Sequence, residues 1–315
     1  MRVFVVGASG AIGTRLIPQL VQRGHEVIGS SRSPDRAARL SRLGAHSVVL
    51  DALDASAVRE AVAALRPDAI IYQATALASL GDFKHFDRSF AQTNRLRTEG
   101  TANLLAAARE AGVRRVIAQS YACHRYARQG GPVKTEEDPL DPTPVPAMRE
   151  TLAAMKYLDQ AVTDAGGIAL RYGSFYGNPE DPLVDAIRQR SFPIVGDGGG
   201  VWSFIHLEDA ASATVLALER DGPAIYNVVD DEPAPTRVWL PEIARILGAQ
   251  PPRRFPRLLA RLFAGGAPVV MSTESRGASN AKAKRELGWG PRYPSWRVGF
   301  VDTYGNRFGP RAAAA

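Results

Sequence analysis

The stretch Val3-Phe4-Val5-Val6-Gly7-Ala8-Ser9-Gly10-Ala11-Ile12-Gly13 decides how the rest of the chain is read. Four apolar residues predict a short buried strand. Gly7, Gly10 and Gly13 then follow as G-x-x-G-x-x-G, ahead of a helix that runs through Leu16 and Leu20. Glycine at these places lets the chain turn out of the strand, brings backbone against a phosphate and packs helix on strand. The helix N-terminus adds partial positive charge. In a strand–turn–helix setting this spacing predicts a dinucleotide site, with Ser9, Ala11 and Ile12 on the loop that faces the pyrophosphate. A tight turn without ligand is the plainer alternative.

Outward from this turn, short apolar runs alternate with helical patterns, and strands are predicted over 26–29, 47–50, 69–72, 115–119 and 168–171. Long helices are predicted over 89–111 and 148–165. This order gives an α/β fold, a Rossmann-type doubly wound parallel sheet. From Gly173 onward Pro and Gly punctuate the chain, as in the run Gly196-Asp197-Gly198-Gly199-Gly200. The expected division is a dinucleotide-binding domain over 1–172 plus about 201–232, with a smaller C-terminal substrate lobe over 173–200 and 233–315.

The 315 residues are enough to bury a core without disulfides or a structural metal, and no metal site is expected. With 45% hydrophobic and 23% charged residues, a disordered chain and a collagen-like repeat are excluded. The single Cys123 cannot form an internal bridge, which fits a reducing cytoplasm. The opening apolar run stops at Gly7, short of the roughly 20 residues that span a bilayer, so no membrane partner is expected. Charge is uneven: residues 251–315 hold 12 basic and 3 acidic side chains, against 27 and 29 in the first 250. Without a nucleic-acid motif, this basic quarter reads as solvated surface, with Arg253, Arg254, Arg257 and Arg261 available to a diphosphate tail. The expected partner is a small molecule and not a nucleic acid, bound by a monomer or homodimer.

The end of the second strand selects the cofactor. An acidic residue there would hold the ribose hydroxyls of NAD; this chain has Ser30-Ser31-Arg32-Ser33. A guanidinium among hydroxyls suits a 2′-phosphate, so NADP(H) is expected over NAD(H). Arg32 as an ordinary exposed loop residue is the alternative.

These motifs, with Asp51-Ala52, Glu99-Gly100-Thr101, Leu170-Arg171-Tyr172-Gly173, the run Phe204 to Asp209, Tyr226-Asn227-Val228 and the tail Lys282 to Trp289, resemble the extended short-chain dehydrogenases, the group of the nucleotide-sugar epimerases and dehydratases. The resemblance implies that Asp51 takes the adenine amino group and Ala52 a backbone contact. Ala74, Thr75 and Ala76 would pass the nicotinamide ribose, and Tyr172, Gly173 and Ser174 would border the ring. Asp51 as a turn residue or cap stays open. His206 and Asp209 are expected to be architectural.

The chain departs from the family at its proton-transfer pair. No Tyr-x-x-x-Lys occurs anywhere, and Met148 and Leu152 stand where the tyrosine and lysine should be. Tyr121 falls at the place of the family's serine and is the candidate donor to a developing oxyanion, or an aromatic wall of the pocket. Ser120 and His124 are the other catalytic candidates, with Tyr126 and Glu150 in reserve. Trp202, Tyr176, Phe175, Phe255 and Phe263 supply aromatic material for a flat apolar substrate. Three functions fit: an NADPH-dependent reductase of a small conjugated carbonyl, alkene or imine; a non-redox isomerase, epimerase or lyase that retains its cofactor; and an NADP-binding sensor without turnover.

Overall fold

Strand β1 (Arg2–Val6) is buried on both faces, Val3 and Val5 packing on one side and Phe4 and Val6 on the other. A strand of this kind needs helices above and below it, the condition of a parallel sheet in an α/β protein. The computed structural model, which describes residues 1–77, 83–178, 180–305 and 307, supplies them. With β2 (Glu26–Ser31), β3 (His46–Val49), β4 (Ala69–Tyr72), β5 (Arg115–Tyr121), β6 (Ile168–Tyr172) and β7 (Ala224–Val228), β1 forms one seven-stranded sheet in the order β7-β6-β5-β4-β1-β2-β3. Every pairing in it is parallel.

One face carries α1 (Gly13–Gln22), whose Leu16, Ile17 and Leu20 are sealed from solvent, and the helix Leu207–Leu218. The other carries α3 (Ala55–Leu65), α5 (Thr101–Glu110) and α6 (Arg149–Asp164). Side-chain caps start two of the edge helices. Ser33 accepts from the Arg36 N–H at the head of α2 (Pro34–Leu40), with Pro34 in the first turn, and Asp54 accepts from Ala57 at the head of α3. The start of α6 is capped from another helix, since Asp87 on α4 (Phe86–Arg95) takes the N–H groups of Glu150 and Thr151 at 3.0 and 2.9 Å.

The helix expected over 89–111 is α4 and α5 joined by a π-helical turn, Leu96–Gly100. The Leu96 carbonyl accepts both the Thr101 N–H and the Tyr72 hydroxyl, the latter at 2.7 Å. Gly100 makes room for that phenol, because a Cβ there would stand 2.2 Å from its oxygen. The strand predicted over 115–119 runs on to Tyr121. The seventh strand escaped prediction: Tyr226-Asn227-Val228 carries a buried asparagine, whose Oδ1 accepts from the Tyr126 hydroxyl at 2.6 Å while Nδ2 has no partner among the described residues.

A third core, rich in aromatics, lies beyond the sheet. It gathers Met148 and Leu152 at the start of α6 with Tyr176, Trp202, Phe204, Trp239, Trp296 and Phe300. Of the aromatics expected to serve the substrate, Trp202 and Tyr176 are buried in this core, Phe175 packs on the sheet cluster, and Phe255 and Phe263 are 36% and 64% exposed. No helix of the described residues is long and apolar enough to cross a membrane.

Candidate active site

Strand order reverses between β1 and β4, and the glycine turn sits at the carboxyl end of that reversal, the usual crevice for a dinucleotide. Gly7 has φ +84°, and a Cβ on it would lie 2.7 Å from Ala74 Cα at the end of β4. Gly13 passes so close to Ala8 that a Cβ would meet its carbonyl oxygen at 2.2 Å. Gly10 differs: a Cβ there would meet only the Gly7 carbonyl oxygen, at 3.3 Å, and otherwise point into open space. The N–H groups of Ala11 and Ile12 find no acceptor among the described residues, and no side chain caps α1. Free donors at a helix start under an open glycine are what a pyrophosphate requires, so the residues fit a dinucleotide.

At the end of β2, the Ser31 hydroxyl is committed internally, accepting from Ser9 Oγ at 2.9 Å and from the Ser33 N–H at 3.3 Å. Arg32 beside it is exposed, with no hydrogen bond or ion pair to any described residue. Asp51 is exposed and its carboxylate accepts from the Leu53 N–H at 3.0 Å, a local turn that leaves the other oxygen outward. Asn103 donates to the Ala52 carbonyl and Thr93 receives the Ala76 N–H, which pin the loops after β3 and β4; Thr75 lies between Ala74 and Ala76 and is half-buried.

The chemistry gathers at the ends of β5 and β6. The Tyr121 hydroxyl and Ser174 Oγ lie 3.0 Å apart, with Cys123 Sγ 3.7 Å from the same Ser174 oxygen and donating to the Ser203 carbonyl. Burial holds the Tyr121 phenol well above its usual range, so it stays protonated at neutral pH and is a donor, not a base. Gly173 is walled in by the Ser203 and Phe204 backbone. Tyr172 turns its hydroxyl into the core, bonded to Thr214 Oγ1 at 2.6 Å and to Gln73 at 3.2 Å, and burial pushes its pKa up to about 12.

Ser120 faces the other way, since neighbours on a strand alternate. Its hydroxyl accepts from Arg125 Nη1 at 3.0 Å inside a buried network. In that network Asp159 Oδ2 takes Arg125 at 2.5 Å and Arg171 at 2.8 Å, and Arg171 reaches the Tyr126 hydroxyl. His124 adopts φ +62°, bonds Ser275 Oγ through Nδ1 at 2.7 Å and stacks edge-on against Trp202. Burial lowers its pKa to about 3, so the ring is neutral; Nε2 has no partner among the described residues. Glu150 sits exposed in the first turn of α6, while Tyr126 is buried in the arginine network. His206 caps the helix Leu207–Leu218 through Nδ1, and Asp209 ties down the Arg292 and Tyr293 N–H groups, both architectural as expected.

Comparison with known proteins gives the family. The profile of the NAD dependent epimerase/dehydratase family matches residues 3–228. The chain belongs to this family. It is an oxidoreductase of the short-chain dehydrogenase type, with a reductase-type role. A 3-diazoavenalumate denitrifying reductase of a Streptomyces species is 44% identical over 95% of this chain and 99% of its own length. The 2-alkyl-3-oxoalkanoate reductase of Stenotrophomonas maltophilia is 27% identical over 79% of this chain and 76% of its own. Among solved structures, Thermus thermophilus UDP-glucose 4-epimerase in complex with NAD superposes with TM-score 0.73 at 25% identity, over the full length of both chains.

The start of α6 is apolar. Met148 is 2% exposed and Leu152 9%, both packed in the aromatic core with Tyr121 against them. Reading by motif also missed Arg97, Asn94 and Cys123, which the fold brings to the same region. The available signal was polar side chains on the inward stripe of the helix, where Thr93, Asn94 and Arg97 interrupt the apolar positions that continue at Leu104 and Ala108.

Proposed function

We propose that the chain is an NADPH-dependent reductase of a small conjugated electrophile reactive enough to need no general acid, with aromatic diazo compounds as its foremost substrate class. The observation that carries this reading is the apolar start of α6. Met148 and Leu152 have no proton to give, while the glycine turn is open for a dinucleotide.

In this reading Gly7, Gly10 and Gly13 shape the pyrophosphate cradle, and Ser9, Ala11 and Ile12 line it. Ser31 and Ser33 set Arg32 at the rim to meet a 2′-phosphate, which favours NADPH. Asp51 and Ala52 hold the adenine, while Ala74, Thr75 and Ala76 on one side and Tyr172, Gly173 and Ser174 on the other border the nicotinamide half. Bound there, the reduced cofactor supplies a hydride. An arenediazonium that gains hydride at carbon releases N2 and ends as a neutral arene; charge balances and no proton is taken up. That stoichiometry suits a site whose phenol is too weakly acidic to be a strong proton donor, and the relative at 44% identity is named for a denitrifying reduction of a diazo compound. Tyr121 and Ser174 orient the electrophile by hydrogen bonds. Ser120 and His124 act through Tyr121: Arg125 joins the Ser120 hydroxyl to the Tyr121 carbonyl, and the His124 ring lies 6.2 Å from the Tyr121 ring.

The Tyr121–Ser174 pair also favours a second reading, a conjugated carbonyl whose developing oxyanion takes the phenol's hydrogen bond. In both readings residues 173–200 and 233–315 form the lobe that receives the substrate, 1–172 and 201–232 the cofactor domain, and the enzyme works in the reducing cytoplasm. The test is NADPH consumption, above the protein-free rate, with benzenediazonium, cyclohexenone, a naphthoquinone and a cyclic imine. Turnover with benzenediazonium supports the proposal. Cofactor binding without turnover on any of them, or product without loss of NADPH, refutes it in favour of a sensor or a cofactor-retaining isomerase.

A further inference from the structure

Arg97 stands in the π-helical turn between α4 and α5 and is only 6% exposed. Its Nη1 has no hydrogen-bond partner, and no hydrogen bond or ion pair joins its guanidinium to any described residue. An arginine buried without a counter-ion is costly and rarely kept unless something completes it. The nearest carboxylate in effect is Asp159, but Asp159 Oδ2 is already shared by Arg125 and Arg171, and both of those guanidinium groups are at least as buried as Arg97. Arg125 opposes the charge of Arg97, and burial with that repulsion lowers the Arg97 pKa to about 10, leaving it cationic at neutral pH. Three buried guanidinium groups therefore share one carboxylate. Glu136 compensates on the Arg171 side, leaving Arg97 with no anion of its own among the described residues.

Its position gives this surplus charge a use. Arg97 and the Tyr121 phenol act on one another electrostatically. One turn earlier on the same helical face, Asn94 bonds Thr151 Oγ1 at 3.0 Å, at the start of α6 beside Leu152. The Asn94 Oδ1 atom is likewise buried without a partner among the described residues. Arg97 thus lies between the end of β5 and the start of α6, the region in which Tyr121 packs on the apolar cluster of Met148, Leu152, Phe90 and Trp202. Such a π turn inside an α-helix often marks a functional site, and here Tyr72 and Gly100 hold it in place.

We infer that Arg97 is the anion-recognition residue of the substrate site, and that the substrate is a flat apolar molecule carrying one carboxylate, an aromatic acid. The inference rests on the reductase reading for its site but is tested by binding, not by turnover. Binding of trans-cinnamate and of its methyl ester is measured by calorimetry on the full chain, with NADP+ present, for the unmutated protein, Arg97→Lys and Arg97→Met. Breaking a buried charge pair by removing one partner has a large effect, so the acid should bind about 100-fold more tightly than the ester. Arg97→Met should erase that preference, and Arg97→Lys should keep part of it. Thermal melts separate recognition from scaffolding: without ligand, Arg97→Met should melt at the same temperature as the unmutated protein or higher, because it removes an unpaired buried charge. Equal affinity for acid and ester, or a preference that survives Arg97→Met, overturns the inference. So does a lower melting temperature of Arg97→Met with unchanged preference, the mark of a structural ion cluster. NADPH-dependent reduction of benzenediazonium by the unmutated protein would be seen in any of these cases if the reductase reading is right, so the two failures are distinguishable.

Discussion

Tyr121→Phe removes one hydroxyl from the centre of the site and nearly nothing else. Its partner, Ser174 Oγ, keeps the Cys123 thiol 3.7 Å away, so the loss to stability should be that of one ordinary hydrogen bond, about 0.5–1.5 kcal/mol. The kinetic effect depends on what the phenol does. Where it donates to an oxyanion that develops in the transition state, removing it costs about 10²–10³ in kcat, as for other donors of this kind. Where hydride alone completes the reaction and N2 leaves, the phenol only orients the substrate, and kcat should fall no more than about threefold, equivalent to roughly 0.6 kcal/mol. The assay is steady-state NADPH oxidation by the variant with benzenediazonium and with cyclohexenone, at saturating cofactor. The expected result is a split: near-normal diazonium turnover and a large loss on the enone wherever the unmutated enzyme reduces it. A hundredfold loss on the diazonium salt would refute the reasoning that this reaction proceeds without a proton donor.

Arg32→Ala should reduce an NADPH-over-NADH affinity preference of at least tenfold to near unity, measured by fluorescence titration, because exposed Arg32 gives up no internal partner to bind a phosphate. Gly10→Val should abolish dinucleotide binding while the protein still melts cooperatively, since the new side chain projects into the open cradle and not into the core. Stability should fall as pH drops below about 6.5. The buried His124, with its pKa lowered to about 3, binds its proton only when unfolded over that range, so it alone removes about 2 kcal/mol by pH 5. His206, its pKa lowered by burial to about 4, adds to the same slope, so His124→Gln should lessen that dependence without removing it in urea melts run from pH 7 to pH 5; an unchanged slope would count against it.

The central sheet was legible because short apolar runs mark β1 to β6, only two valines long in β3, and the glycines announce the turn by spacing alone. The π turn was not, because it depends on the Tyr72 hydroxyl reaching the Leu96 carbonyl from another strand, and no local pattern encodes that contact. In sequence Tyr121 is the first candidate and Ser120, its neighbour, a second. Which of them faces Ser174 follows from the alternation along β5, fixed only when the strand continues to Tyr121. Arg97 was one arginine among many on a helix surface; its meaning came from the absence of a partner after folding.

The proposed chemistry is hydride transfer to an activated electrophile in a site without a general acid. It is tested most directly by following deuterium from NADPH labelled at the transferable position, in ordinary water, with benzenediazonium as substrate and the released N2 measured in parallel. The account predicts one N2 and one oxidised cofactor per turnover, with the deuterium on the ring carbon that bore the nitrogen. Hydrogen from solvent at that carbon, or nitrogen release without oxidation of NADPH, would contradict it.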